Sequence, residues 1–551
     1  MGKRRTTQRV LKFKQNWSVG SNAAEYEDRD LLERAFVDTG VLDLLRDTRD
    51  PKCVVVGRTG VGKTALLLQL ERSSDRVLRI RPDQLSMKYL VGSTILPRLR
   101  ALDVDLGPFY QLLWRHVLTS EVLRHYFRLH GGGPFDAPGR WTRLLRLFDR
   151  RKREALEYFR QWSPSFWADT DVRLREITQK LTDDIQAKLG ADRFAALTGE
   201  SRLEDTVREE IVPRVQQVID ATSLQYIQRG MEILERDVLP NCVQPYFVVV
   251  DDLDQDWIDS ETAYELIDAL LQVLGDFVRL ANIKVVAALR ENVLVWLHAD
   301  RPRGWQQREK QRDLLLPLAW SKPQLEDMLE RRVRASVTTE HDGTIHLATI
   351  LPPPRVDGVT ALDYLVARTL NRPRDLISFT NDILKKAASE LRHGKGLLSW
   401  EIIELAEREH SKHFLQALED EWRANYIDLR AVLEVLRGGP HRFTTASLAR
   451  AKSAALVHEG KAALARGLGS ATSLCALAAD VYERSHDHTL VWCAVLPVLY
   501  QIGALGVCRA PGDPPVYGCD PDAHDPRVVA GFSMQAEWIV HPALRSALGT
   551  V

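Results

Sequence analysis

The feature that most constrains this chain is a glycine-rich segment, GRTGVGKT, at residues 57–64. It follows a short apolar run, KCVVV at 52–56, that predicts a buried strand, and it precedes ALLLQLE at 65–71, which predicts a helix. A strand, the pattern G-x-x-x-x-G-K-[ST] and a helix, in that order, form the context of a phosphate-binding P-loop. We therefore expect an α/β domain built around this loop.

The residue types of the loop suit a nucleoside triphosphate. Glycines permit positive φ and let successive backbone N–H groups face phosphate oxygens, and the following helix adds the positive end of its dipole. Lys63 is predicted to reach the β- and γ-phosphates, and the hydroxyl of Thr64 to ligate Mg²⁺. The less favoured interpretation is a glycine-rich turn that binds nothing. The predicted nucleotide-binding residues are Gly57, Thr59, Gly60, Val61, Gly62, Lys63, Thr64 and Ala65.

A second segment, YFVVVDDLD at residues 246–254, ends a predicted strand in two carboxylates. Asp251 is predicted to hold Mg²⁺ through water, and Asp252 to polarise the water that attacks the γ-phosphate. Alone, such a strand end is more often a helix cap or a turn. Because a P-loop precedes it in the chain, we interpret it as a Walker B strand and expect Lys63 and Asp251 to share one site.

The remaining pattern indicates several domains. Further valine-rich strands at 77–80 and 284–289, separated by helical patterns, predict a parallel sheet covered on both faces. The long stretch between the two motifs exceeds what the sheet needs, and its leucine and arginine pattern predicts a helical insertion. Near the C-terminus, helices precede a hairpin at 507–517 that turns at residues 511–514, and a further strand lies at 538–541. This order is typical of a winged helix.

Composition limits the range of functions. Lys plus Arg and Asp plus Glu both number 75, so no field of one sign marks the whole molecule as a nucleic-acid or membrane binder. The six cysteines form no CxxC pair and no zinc-type cluster, which favours a reducing compartment. No apolar segment follows the basic N-terminus, so no secretory signal is predicted. We expect a cytoplasmic protein without membrane association.

The GRTGVGKT loop and the DDLD sequence at 251–254 resemble those of P-loop ATPases of the AAA+ and STAND groups. The resemblance runs from about Glu25 to Lys386, with the insertion unmatched. It implies that Arg290, at the end of VVAALR, is a sensor arginine, although a strand-end arginine facing solvent is equally favoured. It also implies that NRPRDLI at 371–377 opens a lid helix, with Arg374, and less readily Arg372, touching the γ-phosphate. No Asn-Lys-x-Asp guanine pattern occurs, which favours ATP over GTP.

The resemblance also suggests how the chain is organised. The predicted parts are a basic arm (1–24), an ATPase core in two pieces (25–99 and 240–320), a helical insertion (100–239), a helical lid (321–427) and a winged-helix-like domain (428–551).

The function implied is a Mg²⁺-dependent, ATP-hydrolysing molecular switch. Such ATPases commonly form homo-oligomers in which an arginine acts in trans, here Arg290 or Arg372, and a separate effector or sensor protein would be needed. If the resemblance extends to biological role, bacterial anti-phage defence is plausible. The alternatives are an ATP-gated DNA-binding or loader protein that uses the winged helix and the arginine-rich segment 140–153, and a scaffold that binds ATP without turnover.

Overall fold

The computed structural model describes residues 11–80, 95–126, 153, 157, 161, 170–199, 205–251, 253, 260–298, 311–337, 345–448, 450–509, 512–520 and 523–550. Three features of the sequence analysis lie outside these residues. They are Asp252, the arginine-rich segment 140–153 apart from its last residue, and the first ten residues of the basic arm.

The strands are β1 (Leu11–Lys12), β2 (Val54–Gly57), β3 (Val77–Ile80), β4 (Tyr246–Val250), β5 (Ile283–Arg290), β6 (Leu315–Pro317), β7 (Lys395–Gly396), β8 (Arg442–Thr444), β9 (Leu505–Cys508), β10 (Val516–Tyr517) and β11 (Glu537–Val540).

The α-helices are α1 (Arg29–Arg34), α2 (Val41–Arg46), α3 (Lys63–Arg72), α4 (Ile95–Ala101), α5 (Gly107–Tyr126), α6 (Thr170–Leu189), α7 (Ala191–Thr198), α8 (Asp205–Ile233), α9 (Ser260–Phe277), α10 (Glu291–His298), α11 (Lys322–Val337), α12 (Leu347–Ile350), α13 (Ala361–Val366), α14 (Pro373–Glu390), α15 (Trp400–Trp422), α16 (Leu429–Glu434), α17 (Arg450–Ala465), α18 (Leu474–Ser485), α19 (His488–Gln501), α20 (Pro526–Phe532) and α21 (Pro542–Leu548). In the part of the chain that the structure describes, no helix is both long enough and apolar enough to cross a lipid bilayer.

The chain divides into two compact units. The first contains Gly40–Val56 and Leu66–Pro317, and the second contains the chain up to Thr39, Gly57–Ala65 and the chain from Leu318 onward. The P-loop is therefore assigned to a different unit from most of the strand that precedes it.

The first unit is built on a five-stranded sheet with the order β3-β4-β5-β2-β6. The pairs β3–β4, β4–β5 and β2–β6 are parallel. Every residue of β4 is buried, as are the first seven of β5, because parallel strands covered on both faces consist of continuous apolar residues. The parallel α/β sheet that the valine-rich runs predict is thus confirmed.

The described residues between 100 and 239 form helices whose apolar faces join the core of this unit. Trp114 of α5 is fully buried, and its indole N–H donates to the carbonyl oxygen of Leu266 in α9 at 2.8 Å. Beside it, the guanidinium of Arg115 pairs with Asp276 at 2.5 Å. These contacts fix α5 against α9, the helix that connects β4 with β5.

In the second unit, the N-terminal segment packs against the helices that follow residue 321. Leu11, Phe13 and Val19 are buried, and β1 pairs antiparallel with β7. The guanidinium of Arg332 in α11 donates to the carbonyl oxygen of Val19 at 2.9 Å and pairs with the buried carboxylate of Glu27 at 2.6 Å. Residues 11–24, which the sequence analysis assigns to a basic arm, are therefore part of this folded unit.

The C-terminal part of the second unit contains a four-stranded antiparallel sheet with the order β10-β9-β11-β8. The predicted hairpin is confirmed, since Val516 pairs with Val507 and Tyr517 with Gly506. The sheet extends beyond the predicted hairpin, because β11 pairs with β9 and the short strand β8 pairs with β11. The winged-helix assignment itself stays a prediction.

Substitution of Trp538, in the central strand β11, directly tests the placement of this strand in the sheet. The side chain is fully buried and its indole N–H donates to Thr445 at 3.0 Å. Trp538→Ala should lower the free energy of unfolding by about 3–5 kcal/mol, because it removes a large apolar side chain and leaves a cavity. Urea denaturation followed by circular dichroism measures the loss. Val528→Ala, at a position that is 51% exposed, is the control and should change stability by less than about 0.5 kcal/mol. Equal effects of the two substitutions would contradict the placement of β11.

Candidate nucleotide-binding site

The loop between β2 and α3 has the backbone conformation of an anion cradle. Gly60 has a φ of +81° and Gly62 a φ of +102°, values that side-chain-bearing residues rarely adopt. Helix α3 begins at Lys63, so the N–H groups of Lys63, Thr64 and Ala65 belong to the first turn and have no acceptor within the helix. The loop therefore ends in a row of amides at the positive end of a helix dipole.

Lys63 folds back onto its own loop. Its ammonium donates to the carbonyl oxygens of Gly57 at 2.8 Å and Arg58 at 3.2 Å. The side chain is only partly buried. Carbonyl oxygens thus hold the positive charge at the loop, where phosphate oxygens could replace them.

Two helices of the second unit hold the loop through Thr59. The backbone N–H of Thr59 donates to Glu421 Oε1 at 2.9 Å, and its carbonyl oxygen accepts from Arg372 at 2.9 Å. The guanidinium of Arg372 also pairs with Glu421 at 2.7 Å and with Asp375 at 2.8 Å. The backbone N–H and the carbonyl oxygen of Thr59 are therefore both bound to side chains, one at the end of α15 and one at the start of α14.

Charge balance makes this buried cluster stable. Burial alone would lower the pKa of Arg372, but the carboxylates of Asp375 and Glu421 outweigh burial and raise it. Burial alone would raise the pKa of Glu421, but Arg372, Arg58 and the N–H of Thr59 outweigh burial and lower it. Arg372 and Glu421 therefore both stay charged at neutral pH.

Arg372 is an internal support of the P-loop. It is 3% exposed and its guanidinium is bound to two carboxylates and a loop carbonyl. That Arg372 acts in trans on another subunit stays a prediction, and the sequence alone did not show the distant carboxylate of Glu421 that pairs with it here.

Arg374 contacts the next residue of the loop, Gly60. Its backbone N–H donates to the carbonyl oxygen of Gly60 at 3.2 Å, and its side chain packs over this glycine so closely that a Cβ there would lie 2.7 Å from Arg374 Cβ. Its Nε donates to the carbonyl oxygen of Asn22 at 3.1 Å. Nearby, the indole N–H of Trp320 donates to the carbonyl oxygen of Val61 at 2.7 Å. The structure thus brings Arg374 to the P-loop.

Asp251 and Arg290 lie in the first unit, at the carboxyl-terminal edge of the parallel sheet. Asp251 directly follows β4, and Arg290 ends β5, the strand between β4 and the strand of the P-loop. The buried carboxylate of Asp251 pairs with Arg79 of β3 at 2.6 Å, and Arg79 also pairs with Glu71 of α3 at 3.2 Å. Asp252 lies outside the described residues.

Sequence reasoning missed several of these partners. Glu421 and Trp320 carry no local motif, so no pattern could have assigned them to the loop. Arg79 lies within the predicted strand 77–80, and its position on the strand beside the Walker B segment was an available signal. Arg58 occupies a variable position of the P-loop pattern.

The donor set fits a magnesium nucleotide. The loop offers amides, the ammonium of Lys63 and the hydroxyl of Thr64, and the hydroxyl oxygen of Thr59 is buried without a hydrogen-bond partner among the described residues.

A parallel sheet with a P-loop after β2 is compatible with the P-loop nucleoside triphosphatase fold.

Residues 323–419, which run from α11 into α15, match the family described as the FunZ-associated C-terminal helical domain. The chain is 22% identical over 388 residues to a protein of Escherichia coli (strain K12) named "Putative transposon gamma-delta 80.3 kDa protein". That match covers 68% of this chain and 47% of the relative, so the chain spans about half of the relative's length.

Among solved structures, the chain is similar to the Walker-type ATPase PABY2304 of Pyrococcus abyssi. The identity is 11% and the TM-score 0.28, with 73% of this chain and 79% of that chain covered.

The buried cluster predicts how stability depends on pH. Glu421→Gln should lower the free energy of unfolding at pH 7 by about 3–5 kcal/mol, because it leaves Arg372 short of one buried partner. Since folding lowers the pKa of Glu421, the carboxylate stabilises the protein above its unfolded pKa, about 4.3, and this advantage is lost as the pH falls below that value. Urea denaturation at pH 7 and at progressively lower pH measures the difference between wild type and variant.

Glu419→Gln is the matched control, because Glu419 lies on the same helix in a partly exposed pair with Arg430. It should cost less than about 1 kcal/mol. A Glu421→Gln deficit that does not shrink in acid, or that equals the control, would show that this carboxylate does not hold the loop.

Proposed function

We propose that this protein is a Mg²⁺-dependent ATPase of the P-loop class that works as a molecular switch. The observation that carries the proposal is the loop itself, in which two glycines with positive φ precede a helix whose first residue, Lys63, holds its ammonium at the loop. Amides, a lysine and a helix dipole together stabilise the negative charge of a triphosphate.

The residues would divide the work as follows. Backbone N–H groups from Gly60 to Ala65 bind phosphate oxygens, and Lys63 exchanges its carbonyl partners for the β- and γ-phosphates. Thr64 and, through water, Asp251 hold Mg²⁺, which when bound neutralises charge on the β- and γ-phosphates. Asp252 orients the attacking water.

Two arginines complete the proposed site. Arg374 already lies at the loop and would contact the γ-phosphate, for which a planar guanidinium is suited. Arg290, at the carboxyl-terminal edge of the sheet, would act as a sensor of the γ-phosphate or as the arginine supplied to a neighbouring subunit.

The finer assignment is to the AAA+ or STAND type. It is supported by the GRTGVGKT and DDLD sequences and by a helical segment that packs on the P-loop through Arg374. In this proposal the parts are the arm, the two-piece core, the insertion, the lid and the winged-helix-like domain with the bounds given above, except that residues 11–24 belong to the folded second unit. Homo-oligomers, a separate effector or sensor protein, and a place in bacterial anti-phage defence belong to the same proposal.

A second candidate function is an ATP-gated DNA-binding or loader protein. The antiparallel C-terminal sheet and its hairpin favour it, as does the transposon name of the Escherichia coli relative. DNA retention that weakens steeply with salt would support this candidate, and no retention at moderate salt would remove it.

Phosphate release from the purified protein tests the ATPase proposal. Lys63→Ala should lower kcat by about 10²-fold or more, because the cationic partner of the β- and γ-phosphates is lost. Asp251→Asn and Asp252→Asn should also lower turnover. Because aspartate at 252 reaches less far than glutamate, wild-type turnover should be slow, below about ten per second.

Lys52→Ala is the control, since Lys52 is an exposed lysine just before β2. Turnover that survives Lys63→Ala and Asp251→Asn unchanged would defeat the site assignment. Binding of ATP by the wild type without any phosphate release would leave only a nucleotide-binding scaffold.

A further inference from the structure

The second residue of the P-loop, Arg58, is buried and binds backbone carbonyls in the C-terminal part of the chain. Its guanidinium donates to the carbonyl oxygens of Gln501 at 2.5 Å, Ile502 at 2.9 Å and Gly518 at 3.5 Å. Gln501 ends α19, and Gly518 follows β10. One side chain thus connects the nucleotide cradle to the turn before β9 and to the end of the hairpin.

The receiving site is closely fitted to this guanidinium. Gly503 has a φ of +83°, and a Cβ there would lie 2.6 Å from Arg58 Nη1. At Gly518 a Cβ would lie 2.1 Å from the carbonyl oxygen of Tyr500. The carbonyls at the end of α19 also form the negative end of a helix dipole, which favours a bound cation. Gly503 and the helix end therefore leave room for one positive side chain, and Gly518 lets the end of the hairpin lie against the last turn of α19.

The loop backbone next to Arg58 is held in place by hydrogen bonds. Thr59 is bound on both sides of its peptide by Glu421 and Arg372, and the carbonyl oxygen of Gly60 accepts from the N–H of Arg374. A displacement of the loop on phosphate binding would therefore be transmitted to Arg58 or its partners, because packed interiors switch between arrangements and do not deform gradually.

We propose that Arg58 is a positioning residue that couples nucleotide occupancy of the P-loop to the conformation of the C-terminal sheet. The turn at Gln501–Gly503 and the end of the hairpin at Gly518 receive the change. This inference rests on the proposed function in one respect, that nucleotide binds at the P-loop. Beyond nucleotide binding, Arg58 transmits the change, and the segments 501–503 and 516–518 respond to it.

Hydrogen exchange of the full-length protein, with and without Mg²⁺ and the non-hydrolysable analogue AMP-PNP, tests the coupling. In the wild type the analogue should slow exchange at 57–65 and change the exchange rate at 501–508 and 516–520 by about twofold or more. Gly503→Ala crowds the guanidinium of Arg58 and leaves the phosphate-facing residues 60–65 unsubstituted. It should bind AMP-PNP within about threefold of the wild type and lose the response at 501–508 and 516–520.

Gly512→Ala is the matched control. Gly512 lies in the hairpin between β9 and β10, with a φ of +95° and nothing within 4 Å of an added Cβ. It imposes similar backbone strain and should keep the response. Arg58→Met, examined at saturating AMP-PNP, should lose the response in the same segments as Gly503→Ala.

The coupling is refuted if wild type protects 57–65 but shows no change at 501–508 and 516–520, or if Gly503→Ala and Arg58→Met keep that change. Absence of protection at 57–65 in the wild type would overturn the proposed function, and the coupling with it.

Discussion

The conformation of the P-loop depends on a buried set of charges around Thr59. Arg372 lies between the carboxylates of Asp375 and Glu421, and Glu421 also accepts the backbone N–H of the loop. Isolated charges in such an interior are costly, so each member is stable only while the others are present. The conformation of the P-loop therefore depends on side chains from two helices that lie far along the chain.

This dependence explains why the loop belongs with the C-terminal unit and not with the strand that precedes it. Each of four successive loop residues has its own partner in this unit. Arg58 binds backbone carbonyls, and Thr59 is bound by Glu421 and Arg372. Gly60 is bound by Arg374, and Val61 by Trp320. The helices that do most of this holding, α14 and α15, lie largely within the segment that matches the FunZ-associated helical domain. Arg372 and Arg374 lie within that segment, and Glu421 follows its end.

The sequence predicted what is local and periodic. The four valine-rich strands, the P-loop followed by a helix, and the C-terminal hairpin all follow from short apolar runs, glycines and turn residues. It did not predict the partners of the loop, because Glu421 lies 362 residues from Thr59 and Ile502 lies 444 residues from Arg58. The contacts of Arg372 were missed for the same reason, since a guanidinium that holds a loop and one that meets a phosphate look alike in sequence. Strand β8 was missed because three residues carry no periodic signal.

A structure determined with Mg²⁺ and AMP-PNP is the most direct measurement of the central claim. The account predicts that the triphosphate lies against the backbone N–H groups of residues 60–65, with the Lys63 ammonium on the β- and γ-phosphates and the metal at the Thr64 hydroxyl. A triphosphate bound elsewhere, or a loop that stays closed on Lys63 at saturating analogue, would contradict it.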